Sequence, residues 1–235
     1  MKARKVFTTR RGGVSASPYD SFNLGDHVGD TPEAVASNRE RLASVFSLPG
    51  IVWMEQIHSP NVTVVGEEAI GTTIEATDAL VTTTPGVALA VMVADCVPIL
   101  LSSEQCVAAV HAGRMGARNG ILTKTIDIMR DLGAESIHCL MGPAICGKHY
   151  EVPAFMAMDV EEHLPGSQCQ TEQGTTGLDL RAGLLAQFVE HSGSSLIDVD
   201  WRCTYESPEF FSYRRDTTTG RQAGLVWLEQ DNKGR

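Results

Sequence analysis

The chain has 235 residues, of which 43% are hydrophobic and 20% charged, and it carries a formal net charge of −10. That balance suits a soluble globular protein and excludes the basic stripe that a nucleic-acid surface requires. The longest apolar stretch, Val87 to Leu101, is broken by Asp95 and falls short of a membrane span.

In chain order, the basic start Met1-Lys2-Ala3-Arg4-Lys5 lacks the apolar core of a secretory signal. Val6-Phe7-Thr8 then reads as a short strand entering the Gly12-Gly13 turn. Thr31 and Pro32 start a helix with Thr as N-cap and Pro in the first turn, Val35, Leu42, Val45 and Phe46 share a face, and Pro49-Gly50 stops it. Strands are predicted at Ile51 to Gln56, Val62 to Val65, Ala79 to Thr82, Val87 to Ala94, Ile99 to Leu101 and Val107 to Val110, where apolar runs lie between turn residues. Ile121, Leu122, Ile126, Met129 and Leu132 recur at helical spacing over Ala117 to Leu132, and Gly133 ends that helix. Ile137 to Leu140 is a further strand, Pro153 to His163 a short helix, and Gly166 to Gly177 a surface loop. Leu178 to His191 is a helix with Leu184, Leu185, Phe188 and Val189 on one stripe, and strands at Leu196 to Val199, Phe211 to Arg214 and Leu225 to Leu228 close the chain. Strands outnumber helices without alternating with them, so the reading is α+β, with packed mixed sheets flanked by helices, in one domain over 1–235. Six cysteines at irregular intervals, in a chain too large to need disulfide staples, predict a reduced, cytoplasmic setting.

Three residues stand out for chemistry. His58 follows an apolar stretch and Gln56, Cys96 ends a second apolar run in Ala94-Asp95-Cys96-Val97-Pro98, and His111 ends a third in Val110-His111-Ala112-Gly113. All three fall where predicted strands end, a rigid place from which distant side chains can converge. Two imidazoles and a thiolate can hold zinc and leave a fourth position open, which is the usual composition of a catalytic rather than a structural site.

The motifs run on in order: Thr8-Thr9-Arg10-Arg11-Gly12-Gly13, Ser21-Phe22-Asn23-Leu24-Gly25-Asp26-His27, Gln56-Ile57-His58-Ser59, Thr77-Asp78-Ala79, the Cys96 and His111 blocks, Met141-Gly142-Pro143-Ala144-Ile145, and Phe211-Ser212-Tyr213-Arg214-Arg215-Asp216. Over almost its whole length the chain thus resembles the family known as laccase-domain polyphenol oxidase, peptidoglycan editing factor or purine nucleoside phosphorylase. The resemblance implies metal ligation by His58, Cys96 and His111, and a fold similar to that of toxin-deamidase-like cysteine hydrolases. It also implies cleavage of adenosine, inosine, guanosine or methylthioadenosine with phosphate, together with deamination of adenosine. Zinc at an open site can lower the pKa of a bound water to roughly 7, which suits such deamination.

For substrate and phosphate, the candidates are Arg10, Asn23, His27, Arg114 and Arg214. Gly12-Gly13 beside Arg10 could form an anion nest, or simply a hairpin turn. Asn23 and His27 could meet ribose hydroxyls, or cap a turn and lie on the surface. Arg114-Met115 stands where family members commonly carry Trp-Arg, which makes Arg114 the candidate for the missing charge. Three other chemistries compete. One is a metal-free dyad of Cys96 and His111, for which His58 has no use. A second is amide hydrolysis on a UDP-muramoyl amino acid precursor. The third is copper-dependent phenol oxidation, disfavoured by only seven His with no HxH pair, although copper can occupy a zinc-type site. The expected partners are small nucleosides and phosphate, without nucleic acid or membrane, for a monomer or small homo-oligomer.

Overall fold

The computed structural model describes residues 2–194 and 196–229. In chain order its elements are β1 (Ala3–Phe7), α1 (Pro32–Val45), β2 (Ile51–Met54), β3 (Val62–Val64), β4 (Thr73–Ile74), β5 (Ala79–Thr82), β6 (Ala88–Val93), β7 (Val97–Ser102) and β8 (Val107–Ala112). There follow α2 (Arg114–Arg118), α3 (Ile121–Asp131), β9 (His138–Met141), α4 (Ala154–His163), β10 (Gln168–Gln170), β11 (Thr176–Leu178), α5 (Leu180–Ser192), β12 (Ile197–Val199), α6 (Tyr213–Asp216) and β13 (Gln222–Leu228). The α+β architecture with mixed sheets and flanking helices is as expected.

One sheet has the order β1-β13-β6-β2-β4 and a second the order β12-β9-β7-β8-β5-β3. Strand periodicity explains how they stack, because successive side chains leave opposite faces. Leu89, Val91 and Val93 of β6 join Val226 and Leu228 of β13 and meet Leu80, Leu100, Val107 and Ala109 of the second sheet. The alternate residues Ala88, Ala90 and Met92 face the other way, toward Phe22, Leu42, Trp53 and Trp227. On the far side of the second sheet, Val81, Ile99, Leu101 and Val110 pack on Ile121, Ile126 and Met129 of α3 and on Leu184 and Phe188 of α5. Helix, sheet, sheet and helix form successive layers. Each fully buried Leu, Ile, Val or Phe adds about 1.5–3 kcal/mol to that stack.

Several local expectations change. The helix predicted over Ala117 to Leu132 is two helices, α2 and α3, because Gly120 adopts a left-handed φ of 77° between them. Phe211 to Arg214 is no strand: Phe210 and Phe211 are fully buried, and Ser212 Oγ accepts from the Arg215 N–H to start α6. The surface loop at Gly166 to Gly177 contains the antiparallel hairpin β10–β11. Val45 is exposed rather than on the buried face of α1, and Thr31 occupies the N-cap position without a side-chain cap. The strand predicted to reach Gln56 stops at Met54, but the Gln56 amide donates to Met92 O (2.7 Å) and accepts from Met92 N (2.8 Å). A side chain therefore continues the strand pairing beside the site.

Candidate metal centre and its two hollows

Antiparallel register between β7 and β8 pairs Val97 with Ala112 and Pro98 with His111. Cys96 and His111 thus emerge at the open end of one hairpin. His58 arrives on the turn after β2, in a left-handed conformation with φ 59°. That turn is held by Asp78, whose carboxylate accepts from the N–H groups of Ile57, His58 and Ser59 at 3.2, 3.0 and 2.7 Å and from Ser59 Oγ at 2.7 Å. The same carboxylate lies 2.7 Å from His111 Nδ1. One buried group thereby fixes two of the three donors.

The donor atoms of His58, Cys96 and His111 all lie within 4.8 Å of one another, and the two imidazole rings meet edge to face at 4.7 Å between centroids. His111 is buried, Cys96 half-buried and His58 exposed. The set fits a metal: His111 commits Nδ1 to Asp78 and keeps Nε2 for an ion, the carboxylate–histidine arrangement typical of metal sites. Gly113 is required here, since a Cβ at that position would strike His58 Nδ1 and stand 3.2 Å from Cys96 Sγ. Desolvation and the neighbouring His111 push the His58 pKa down, toward the neutral, ligating form. Burial opposes charge on His111, yet the Cys96 sulfur and the Asp78 carboxylate raise its pKa to about 9. A metal on His111 would therefore displace a proton.

Cys96 separates two hollows that share Ala94, Cys96 and Tyr213. One, of about 250 Å³, is walled by Ile145, Tyr150, Leu180, Arg114 and Arg214. The other, of about 330 Å³, holds His58, His111, His27, Gln56, Met92 and Arg221. A larger open groove of about 720 Å³ beside Lys5, Ser103 and His138 has no comparable donor set, so volume does not mark the site. Among the described residues Arg114, Arg214 and Arg221 make no salt bridge, although the protein as a whole is acidic. Burial pushes the Arg221 pKa down, against the opposing pull of Cys96 and Asp95. Asp95, itself at a left-handed φ of 95°, accepts from Thr204 Oγ1 (2.6 Å) and from the Arg214 N–H (2.7 Å) and so ties the Cys96 turn to α6. Two left-handed non-glycine residues, the donor His58 and Asp95 next to Cys96, place backbone strain at the centre of the site.

Of the predicted substrate residues, the structure brings His27, Arg114 and Arg214 to the hollows. Arg10 lines neither: its Nε donates to Asp20 O (2.8 Å), and its guanidinium lies over Phe211. Asn23 has no exposed surface, and its amide is consumed by Gly25, Asp30 and Arg221. The Gly12-Gly13 nest closes on the chain's own Ser21, whose Oγ accepts both N–H groups at 3.1 Å. Asp78, Tyr150, Tyr213 and Arg221 were not singled out from the sequence. Asp78 stands within the motif preceding β5, and a carboxylate there was the available signal.

A family profile described as multi-copper polyphenol oxidoreductase laccase matches residues 4–229. A purine nucleoside phosphorylase of Corynebacterium glutamicum is 63% identical over 97% of this chain and 95% of its own length. The purine nucleoside phosphorylase YfiH of Escherichia coli is 41% identical, covering 94% and 92%. Among solved structures, YlmD from Geobacillus stearothermophilus superposes with a TM-score of 0.89 at 33% identity, covering 97% and 92%.

Proposed function

Given that the chain belongs to the multi-copper polyphenol oxidoreductase laccase family, we propose that it is a purine nucleoside phosphorylase holding zinc on His58, Cys96 and His111. The observation that carries this reading is the placement of three unpaired guanidinia, Arg114, Arg214 and Arg221, around that donor set. Phosphorolysis needs an anion held beside a sugar carbon, and arginine forks suit phosphate oxygens. Tyr150, Ile145, Leu180 and Tyr213 offer apolar walls for a purine. Phosphate oxygen bonds to C1′ as the C1′–N9 bond breaks, and the purine leaves with the bonding pair and takes up a proton. When bound, zinc supplies a Lewis acid and lowers the pKa of a coordinated water, which also suits the accompanying conversion of adenosine to inosine. Copper is an alternative occupant, since imidazole and thiolate donors suit it as well. Adenosine, inosine, guanosine and methylthioadenosine are the substrates of this reading, and the cytoplasm is its setting. Among the described residues no helix is long and apolar enough to cross a membrane.

The competing reading, Cys96 as nucleophile with His111 as base on a cell-wall precursor, draws on the contact between those two side chains. It leaves His58 without a task. Inosine with the zinc-loaded protein is expected to give hypoxanthine and ribose 1-phosphate only when phosphate is present. Equal base release in phosphate-free buffer would sink the phosphorylase assignment.

A further inference from the structure

A second group of metal-type donors lies apart from His58, Cys96 and His111. Cys146, His149, Cys203 and Glu206 bring one sulfur, nitrogen or oxygen each to within 4.8 Å of one another. In sequence they are two matching turns, Cys146-x-x-His149 and Cys203-x-x-Glu206. The turns are built alike: the His149 and Tyr150 N–H groups donate to Cys146 O at 3.0 and 3.1 Å, and the Ser207 N–H donates to Cys203 O at 2.9 Å. A parallel bridge between Ala144 and Cys203 lays one turn against the other.

From these four residues we infer a second, structural zinc site, in which Cys146, His149, Cys203 and Glu206 close a tetrahedral shell. Zinc bonds of about 2.0–2.3 Å hold tetrahedral donors about 3.3–3.8 Å apart, within reach of donors that lie no more than 4.8 Å from one another. Two thiolates with one imidazole and one carboxylate are borderline-soft donors that favour zinc over calcium or magnesium, and four protein ligands leave no position for chemistry. The local bonding anticipates an ion. The Cys146 N–H donates to Cys203 Sγ at 3.3 Å, so the two turns already meet at a sulfur. His149 points Nε2 at Glu206 Oε1, 2.9 Å away, while Nδ1 stands 3.4 Å from Glu172, so a carboxylate backs the imidazole as Asp78 backs His111. The His149 side chain is only 8% exposed, and Tyr205 packs on its ring.

The site has a consequence for the hollow beside Cys96. Ile145 and Tyr150, which wall that hollow, sit on the first turn. Thr204, which holds Asp95, sits on the second. The second ion would thus fasten together two loops that shape the pocket, whatever reaction the pocket performs.

The test uses the full chain carrying Cys96→Ala, so that the first centre lacks a donor. Elemental analysis after dialysis should find about one zinc per chain, and cobalt substitution should give an intense near-ultraviolet thiolate-to-cobalt band. Adding Cys146→Ser, at the half-exposed cysteine, should weaken that band and lower zinc affinity at least tenfold. His149→Ala should lower affinity as much while keeping the band. A folded Cys96→Ala protein, judged by circular dichroism, that retains neither zinc nor a cobalt band would overturn the proposal. So would zinc retained undiminished in both added variants, or a Cys146–Cys203 disulfide in the zinc-loaded protein found by mass spectrometry.

Discussion

Asp78 is the residue on which the first centre turns. It has no exposed surface, and although burial disfavours its charge, hydrogen bonds from His111 and Ser59 hold its pKa below the usual carboxylate range. Replacement by Asn keeps the size but removes the charge that orients His111 and one of the acceptor oxygens that gather the His58 turn. Asp78→Asn is expected to lower zinc affinity about 10–100-fold, the range for such supporting groups. Titration with a competing chelator measures it, and an unchanged affinity would show that the donors are positioned without Asp78. The three donor candidates stand out locally only as residues at the ends of apolar runs, and their reading as one metal set came from the resemblance of the whole chain rather than from any spacing between them. Arg221 stands in the family-like run Thr219-Gly220-Arg221-Gln222 but was given no role, because a motif does not tell an arginine that points into a pocket from one that points into water. It lines one hollow together with His27 and Gln56, which are far away in sequence.

At the level of elements, the long central strands were read well because their apolar runs are unbroken, the short polar strands β4, β10 and β11 were not, and two further errors fall where one residue overrides a pattern. Ile121, Leu122, Ile126 and Met129 keep helical spacing and are all fully buried, yet Gly120 breaks the expected helix just before them. Phe210-Phe211 has the look of a strand, but Ser212 caps a helix in the next turn. Gly120→Ala tests the first case. The left-handed φ of 77° costs a residue with a Cβ about 1–2 kcal/mol, and the new methyl would stand 3.0 Å from Thr123 Oγ1. The urea midpoint should fall accordingly. A rise would mean that α2 and α3 can merge into one continuous helix at no cost to the site.

Across the whole molecule, charge is arranged against the average. A body of net charge −10 keeps three guanidinia without salt-bridge partners beside one cysteine, and it half-buries a lysine in β1. Lys5 donates to His138 O at 3.2 Å, and burial lowers its pKa from 10.5 to about 8, with Cys139 and Asp198 opposing the shift. The folded value lies below the unfolded one, so the unfolded chain binds the proton more tightly. Stability therefore rises as pH climbs from about 8 toward 10.5. Lys5→Met should be more stable than the parent at pH 7 by about 1–2 kcal/mol, after discounting for partial exposure. The gap should close near pH 10. Urea unfolding at both pH values decides it, and a constant gap would mean the ammonium is not what the site resists.

The hairpin that presents Cys96 and His111 also bears on how the cluster is assembled. Its six register pairs, from Val97 with Ala112 to Ser102 with Val107, already close the loop between those two donors. Closing such a loop from a free chain costs entropy that grows with the logarithm of its length. Here the backbone ladder meets that cost during folding, and the Asp78 carboxylate does the same for the turn bearing His58. An ion arriving at the proposed centre would meet donors whose backbone is already placed by that ladder and that turn. Capture by the proposed centre would then be governed by the ion's loss of its own water and by proton release from the ligands, so exchange there is expected to follow hydration and pH rather than refolding.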